Sequence, residues 1–275
     1  MKKEDLKKRE KIMTKDIFPQ VPERPILYDW LYHKTDKDVE MYCRLTEGHS
    51  EILECAVGTG RLAIPLAKKG RIVHGIDYSA AMLQKFKDKL PNLPETIRNR
   101  ILLYHEDMRD FDLNKKFSFV FIPFASFVYL LTIEDQKSCL NSLRRHLADG
   151  GTLVIDLPTW VEAEEEKWLD NDVAVMKVKQ GVNPETGNTT EMWSTFRFDH
   201  STQIMEQDRH YKIYDREGCL EREQVVLWRS RFFFLGEFQL LLETCGLKIS
   251  EVYGDFQFGP YRHDSEVAVV VIKAA

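Results

Sequence analysis

Cysteine is scarce and unpatterned in this chain of 275 residues. The five cysteines, Cys43, Cys55, Cys139, Cys219 and Cys245, are odd in number and scattered, with no C-x-x-C. Neither a disulfide framework nor a thiolate zinc site is indicated, and the expected compartment is the reducing cytoplasm. No His/Asp/Glu set has the spacing of a metal site, so no metal is expected. A basic excess is also absent: 39 Lys and Arg face 44 Asp and Glu, for a net charge of −5, which argues against a nucleic-acid partner. The longest nearly apolar run, residues 119–131, is too short to span a bilayer and is broken by Pro123. The opening Met1-Lys2-Lys3-Glu4-Asp5-Leu6 carries no apolar stretch, so no leader peptide is expected.

What is present is ample apolar material, 43% of the residues, enough for one α/β domain with an elaboration. Strands expected near residues 51–55, 71–76, 101–104, 117–122 and 152–157 alternate with helices near 61–69, 80–90 and 134–147. An earlier helix is expected over 26–44 with Asp36 as a cap between two segments. That alternation means a doubly wound, mostly parallel sheet, whose ligand lies outside the carboxyl ends of the strands. From about residue 173 to 234 the texture changes to apolar and aromatic segments separated by turn clusters such as Asp199-His200-Ser201-Thr202 and Asp215-Arg216-Glu217-Gly218, an antiparallel hairpin array. A helix over 235–245 and strands over 247–253 and 266–272 complete the chain. The expected organisation is a polar extension (1–25), a nucleotide-binding core (26–158), an antiparallel β insertion (159–234) and a final helix and hairpin returning to the core sheet (235–275).

The richest stretch is Leu53-Glu54-Cys55-Ala56-Val57-Gly58-Thr59-Gly60-Arg61. An apolar strand ends there on an acid, and glycines let the backbone turn sharply into a helix whose free N–H groups favour a negative or strongly dipolar group. About twenty residues on, a second strand ends in Asp77, where a carboxylate grips ribose hydroxyls. Glu54 separates this turn from the G-x-G-x-x-G of nicotinamide enzymes: a carboxylate there repels a pyrophosphate and tolerates an amino group.

The pattern resembles the first motif of class I S-adenosylmethionine (SAM) methyltransferases, acid-x-G-x-G-x-G, in an Ala-first variant with Ala56 in the first glycine's place. Alanine serves there if φ stays negative. His105-Glu106-Asp107-Met108-Arg109-Asp110-Phe111 resembles the G-D-M-R-D-F loop of many small-molecule members, and residues 149–157 resemble their L-x-x-G-G-x-L-x-x-D stretch. The resemblance is strong over residues 28–158 and thinner beyond. It implies a seven-stranded class I methyltransferase sheet, SAM as cofactor and S-adenosylhomocysteine (SAH) as product. The cofactor-binding set it implies is Tyr32, Glu54, Ala56, Gly58, Gly60, Arg61, Asp77, Tyr78, Met82, Asp107, Met108 and Phe124, with Asp107 on the adenine amine and Met108 on the ring.

Tyr28-Asp29-Trp30-Leu31-Tyr32 resembles the Y-D-x-x-Y opening of sugar-amine N-methyltransferases, which implies Tyr28 at the methyl or the acceptor and Tyr32 at the cofactor's amino-acid end. Phe124 to Leu130 resembles their F-S-S-I-G-H-L stretch, with Tyr129 at the histidine thought to orient or deprotonate the amine. Tyr28 and Tyr129 are therefore the catalytic candidates. Arg229 and Arg231 share a strand face and could hold an anionic substrate. The expected activity is methyl transfer to nitrogen or oxygen of a small molecule in a pocket closed by the insertion, which also offers a homodimer surface. A non-catalytic SAM- or SAH-binding module, and a protein or RNA methyltransferase, are the alternatives.

Overall fold

The computed structural model describes residues 28, 29, 32, 36–159, 176–183 and 186–275. The polar extension, the start of the insertion at 160–175 and most of the first half of the helix expected over 26–44 lie outside them. Among the described residues the main sheet is built from β1 (Glu51–Cys55), β2 (Ile72–Asp77), β3 (Ile101–His105), β4 (Phe117–Ile122), β5 (Leu147–Pro158), β10 (Leu247–Tyr253) and β11 (Val267–Ala274). Their spatial order is β10-β11-β5-β4-β1-β2-β3. Every neighbouring pair is parallel except those of β11, which runs antiparallel to both β5 and β10.

The central strands read as unbroken apolar runs because helices cover both faces. Alternation along each strand then sorts its side chains between two cores. Leu53, Val120 and Ile122 join a cluster with Leu140 and Leu143 of α5 (Ile133–His146) and Phe238 and Leu242 of α6 (Leu235–Thr244). Ile52, Phe119 and Phe121 join the opposite cluster, with Met41 and Tyr42 of α1 (Val39–Leu45), Ala63 and Leu66 of α2 (Ala63–Lys68) and Leu83 and Phe86 of α3 (Ala80–Lys89). A short α4 (Glu95–Arg98) precedes β3. Side-chain caps start two of these helices: Ser79 accepts from Met82 N, and Thr132 from Asp135 N.

The insertion is a second, four-stranded antiparallel sheet of β6 (Met176–Val182), β7 (Thr189–Asp199), β8 (Ile204–Tyr214) and β9 (Leu220–Arg231), in that order. Its register pairs Met192 with Tyr211 and Gln207 with Trp228. One face buries Met192, Tyr211, Ile213, Val226 and Trp228, and Tyr32 and Tyr129 pack against it. Tyr129 follows β4 in a 3₁₀ turn, Ser126–Tyr129. The insertion thus covers the carboxyl end of the main sheet.

Candidate active site

The turn after β1 departs from expectation at its first residue. Ala56 has φ +60°, a left-handed conformation that costs a non-glycine residue about 1 kcal/mol or more, so the negative φ expected for an alanine there is not the one adopted. The surrounding structure fixes it: Val57 N donates to Ile76 O at 3.0 Å, and Gly58 N donates to Asp77 Oδ2 at 2.8 Å. Asp77 Oδ1 accepts from Ser79 N at 2.8 Å, so the carboxylate is aimed by the backbone of both strand ends. Gly58 lines a cavity with Glu54, Asp77, Tyr78 and Met82. Gly60 does not line it, a correction to its expected contact role. A Cβ on Gly60 would overlap the Phe86 ring, so the glycine is needed there, at φ +84°, to let α3 close against the turn.

At one end of the cavity stands Glu54. It is 2% exposed, its Oε2 has no hydrogen-bond partner among the described residues, and burial pushes its carboxyl well above the usual range. Above it, Arg61 donates to both oxygens of Asp38 at 2.7 and 2.6 Å and lies 4.5 Å from the centroid of the Phe124 ring. Asp38, at the N-cap of α1, makes no side-chain cap bond; its carboxylate is spent on Arg61, and Asp36, expected as a cap, lies two residues earlier. A second clamp joins the aromatic helix to the same turn. Asp29 accepts from Thr59 Oγ1 at 2.6 Å and from Lys89 Nζ at 2.9 Å.

The loop after β4 carries two more left-handed residues, Phe124 (φ +56°) and Ala125 (φ +55°). Buried Asp156 holds both, accepting from Phe124 N at 2.9 Å and Ala125 N at 2.6 Å, and also from Tyr42 Oη at 2.8 Å. Burial outweighs these three bonds and raises the Asp156 carboxyl to about 6. At the β3 side, Met108 is nearly buried and lines the cavity with Asp107. Arg109 grips Asp107 through Nε at 2.9 Å and Nη2 at 2.6 Å, an ion pair between residues only two apart in the chain.

The two tyrosines of the first helix lie at different ends of the cavity, with Tyr32 away from the acidic end where it was expected. Tyr28 bonds the Arg61 side chain and lies in the field of Asp38 and Glu54, at the acidic end, and burial raises its hydroxyl to about 12. Tyr32 lies by Arg209, Tyr211 and Tyr129, at the far end, and is likewise raised to about 12 by burial. Tyr129 stacks obliquely on Trp228, with ring centroids 5.4 Å apart. Arg209, Tyr211 and Trp228 line this end and were not anticipated, although Gln207, Arg209, Tyr211 and Ile213 fall on alternate positions of one strand. Arg229 and Arg231, expected as substrate residues, are not among the lining residues. Arg229 pairs with Glu206 at 2.8 Å, and Arg231 with Glu237 at 2.8 Å.

S-Adenosylmethionine fits these residues. A buried acid with an unsatisfied oxygen suits an ammonium, a carboxylate held by two strand ends suits ribose hydroxyls, and Gly58 leaves its backbone open to the ligand. A parallel sheet finished by a reversed hairpin, with these stations at its carboxyl ends, defines a class I SAM-dependent methyltransferase. A family model described as a methyltransferase domain matches residues 52–151. The chain is 30% identical, over 181 residues, to dTDP-3-amino-3,4,6-trideoxy-alpha-D-glucopyranose N,N-dimethyltransferase of Streptomyces venezuelae, covering 60% of this chain and 72% of that one. It is 29% identical over 240 residues to dTDP-3-amino-3,6-dideoxy-alpha-D-glucopyranose N,N-dimethyltransferase of Streptomyces fradiae, covering 83% and 85%. The solved CcbJ methyltransferase of Streptomyces caelestis superposes with a TM-score of 0.67 at 25% identity, covering 87% of this chain and 90% of that one. The chain belongs to the class I SAM-dependent methyltransferases, and its cofactor is SAM. No helix among the described residues is long and apolar enough to cross a membrane.

Proposed function

We propose that this enzyme methylates an amine nitrogen of a small molecule, in a cavity whose acidic end holds the cofactor and whose aromatic end holds the acceptor. When bound, SAM supplies a methyl group on a positively charged sulfur, ready for in-line displacement. Glu54 takes the ammonium of its amino-acid part, Arg61 held by Asp38 meets the carboxylate, and Asp77 takes the ribose hydroxyls. Asp107, Met108 and Tyr78 border the adenine, while Met82, Phe124 and Tyr28 close the cavity around the sulfur arm and exclude water. Tyr32 and Tyr129 orient the acceptor against the wall formed by Tyr211 and Trp228.

The observation that carries nitrogen over oxygen is the aromatic end itself: among the described residues, no histidine lines the cavity. The Tyr32 hydroxyl, raised to about 12, is a poor base near neutral pH. An amine needs only to arrive neutral, whereas an alcohol has to lose a proton; positioning and exclusion of water suffice for the first. The named activities of the two Streptomyces relatives, both N,N-dimethyltransferases, support the same reading. The test is incubation of purified protein with methyl-labelled SAM and pooled amines, phenols and carboxylic acids. Label is expected in the amines, and label in phenols alone would overturn the assignment.

The same proposal keeps the division at 26–158, 159–234 and 235–275. It places the chain in a reducing cytoplasm, which suits five free cysteines, four of them buried. It also includes a homodimer through the insertion, to be read by sedimentation.

A further inference from the structure

Three arginines of the insertion are neutralised by carboxylates. Arg197 pairs with Glu206 and Asp208, Arg229 with Glu206 and Arg231 with Glu237. Arg209 has no carboxylate partner among the described residues, yet it is partly buried and lines the cavity. Its guanidinium lies 4.3 Å from the Trp228 ring centroid. Its Nε donates to Gln207 Oε1 at 2.6 Å, and Gln207 is fixed in turn by donating from Nε2 to Ser194 Oγ at 3.0 Å. Tyr211 bonds the same side chain, and Tyr129 and Tyr32 complete its electrostatic surroundings. A second cation, Lys179 Nζ, sits 4.1 Å from the Tyr32 ring centroid.

Among the described residues, this guanidinium is partly withdrawn from water without the anion that normally compensates it. Its orientation is nevertheless fixed, by Trp228 beneath it and by Gln207 and Tyr211 at its edges, and among the described residues tyrosines rather than carboxylates surround it. A planar, fixed fork of donors is suited to an oxyanion. Resting on the reading of this end as the acceptor site, we infer that the acceptor carries an oxyanion, a carboxylate or a phosphate, in addition to its amine, and that Arg209 binds it. Arg209 is thereby a specificity residue: it turns away simple cationic amines and accepts those whose charge is balanced by an anion.

The test is calorimetry on SAH-loaded protein with benzoate, phenyl phosphate and neutral benzamide as probes, for wild type, Arg209→Met and Arg209→Lys. At least one anion is expected to bind wild type more tightly than benzamide does. Arg209→Met should weaken that anion by about tenfold or more, Arg209→Lys should weaken it less, and benzamide should change by less than about twofold. Preference for benzoate or for phenyl phosphate identifies the oxyanion. The inference is overturned if neither anion outbinds benzamide, if Arg209→Met binds them as wild type does, or if both variants lose SAH, which would move Arg209 to the cofactor. Failure of wild type to bind SAH at all would instead remove the proposed function.

Discussion

Replacing Glu54 by Gln should move two properties of the protein in opposite directions. In the ligand-free protein the Glu54 carboxyl is buried, with its Oε2 unpartnered among the described residues, and its pKa lies well above that of the unfolded chain because of desolvation. A carboxyl whose folded pKa is raised stabilises nothing by ionising. From the unfolded value upward, each pH unit costs the fold about 1.4 kcal/mol until the folded value is reached. The neutral Glu54→Gln protein escapes that cost, so without ligand it should melt higher than wild type, and the gap should widen from pH 5 towards neutrality. SAH binding should go the other way. The ammonium loses a charge-assisted bond worth about 1.5–3 kcal/mol, a weakening of roughly ten- to 150-fold. Binding to wild type should also release a proton from Glu54 as the ammonium draws its pKa down, and the variant should release none. Calorimetry in buffers of differing ionisation enthalpy reads both quantities, and scanning fluorimetry reads the first. A ligand-free variant that melts lower than wild type and binds SAH equally well would refute the assignment of Glu54 to the ammonium.

Asp77→Ala removes the carboxylate that accepts from Gly58 N and Ser79 N and should weaken SAH by about 1–3 kcal/mol; an unchanged dissociation constant would reduce Asp77 to a turn residue. Gly60→Ala should lower the melting temperature and SAH affinity together, because its Cβ overlaps the Phe86 ring, and a melting temperature equal to wild type would contradict that packing. Asp156, raised to about 6, takes up a proton as pH falls through 6 and then gives up an acceptor for the Phe124–Ala125 loop. SAH affinity should therefore drop between pH 7 and 5, a limb that Asp156→Asn should shrink to the part that comes from Glu54. Tyr129→Phe should bind SAH normally and lose turnover several-fold, the size of an orienting bond of about 1 kcal/mol, whereas loss by a hundredfold or more would make it a base.

The sheet was readable from the chain because its strands are buried on both faces and end on recognisable turns. β1, β4 and β10 fall on their expected bounds, and the helices after β1 that were expected shift by one or two residues at the ends. The order of the motifs placed Glu54, Asp77 and Met108 at one cavity. What could not be read depends on orientation. Tyr28 and Tyr32 lie on one helical face, and only the direction in which that helix crosses the cavity decides which of them meets Arg61 and which Arg209. Alternation in β8 groups Arg209 with Tyr211 but does not say whether that face looks at the cavity or at solvent; Arg229 and Arg231, on the next strand, were chosen in its stead. Asp38 was invisible because it is an acid at a helix start, where a cap is the ordinary explanation. Ala56 hid its left-handed backbone because alanine is seldom found in one.

Asp29 sits next to Tyr28 in sequence and is held by Thr59 and Lys89, one from the glycine turn and one from α3. The helix that carries Tyr28 and the glycine turn beneath it are therefore one mechanical piece, joined partly by an ion pair that is itself only about a fifth to a third exposed. A ligand that must part them to reach Glu54 works against a charge contact that dissolved salt weakens. The speed with which the cofactor is taken up and released then becomes a property of the medium as well as of the protein, faster in strong electrolyte, while the affinity set by deeply buried Glu54 changes far less.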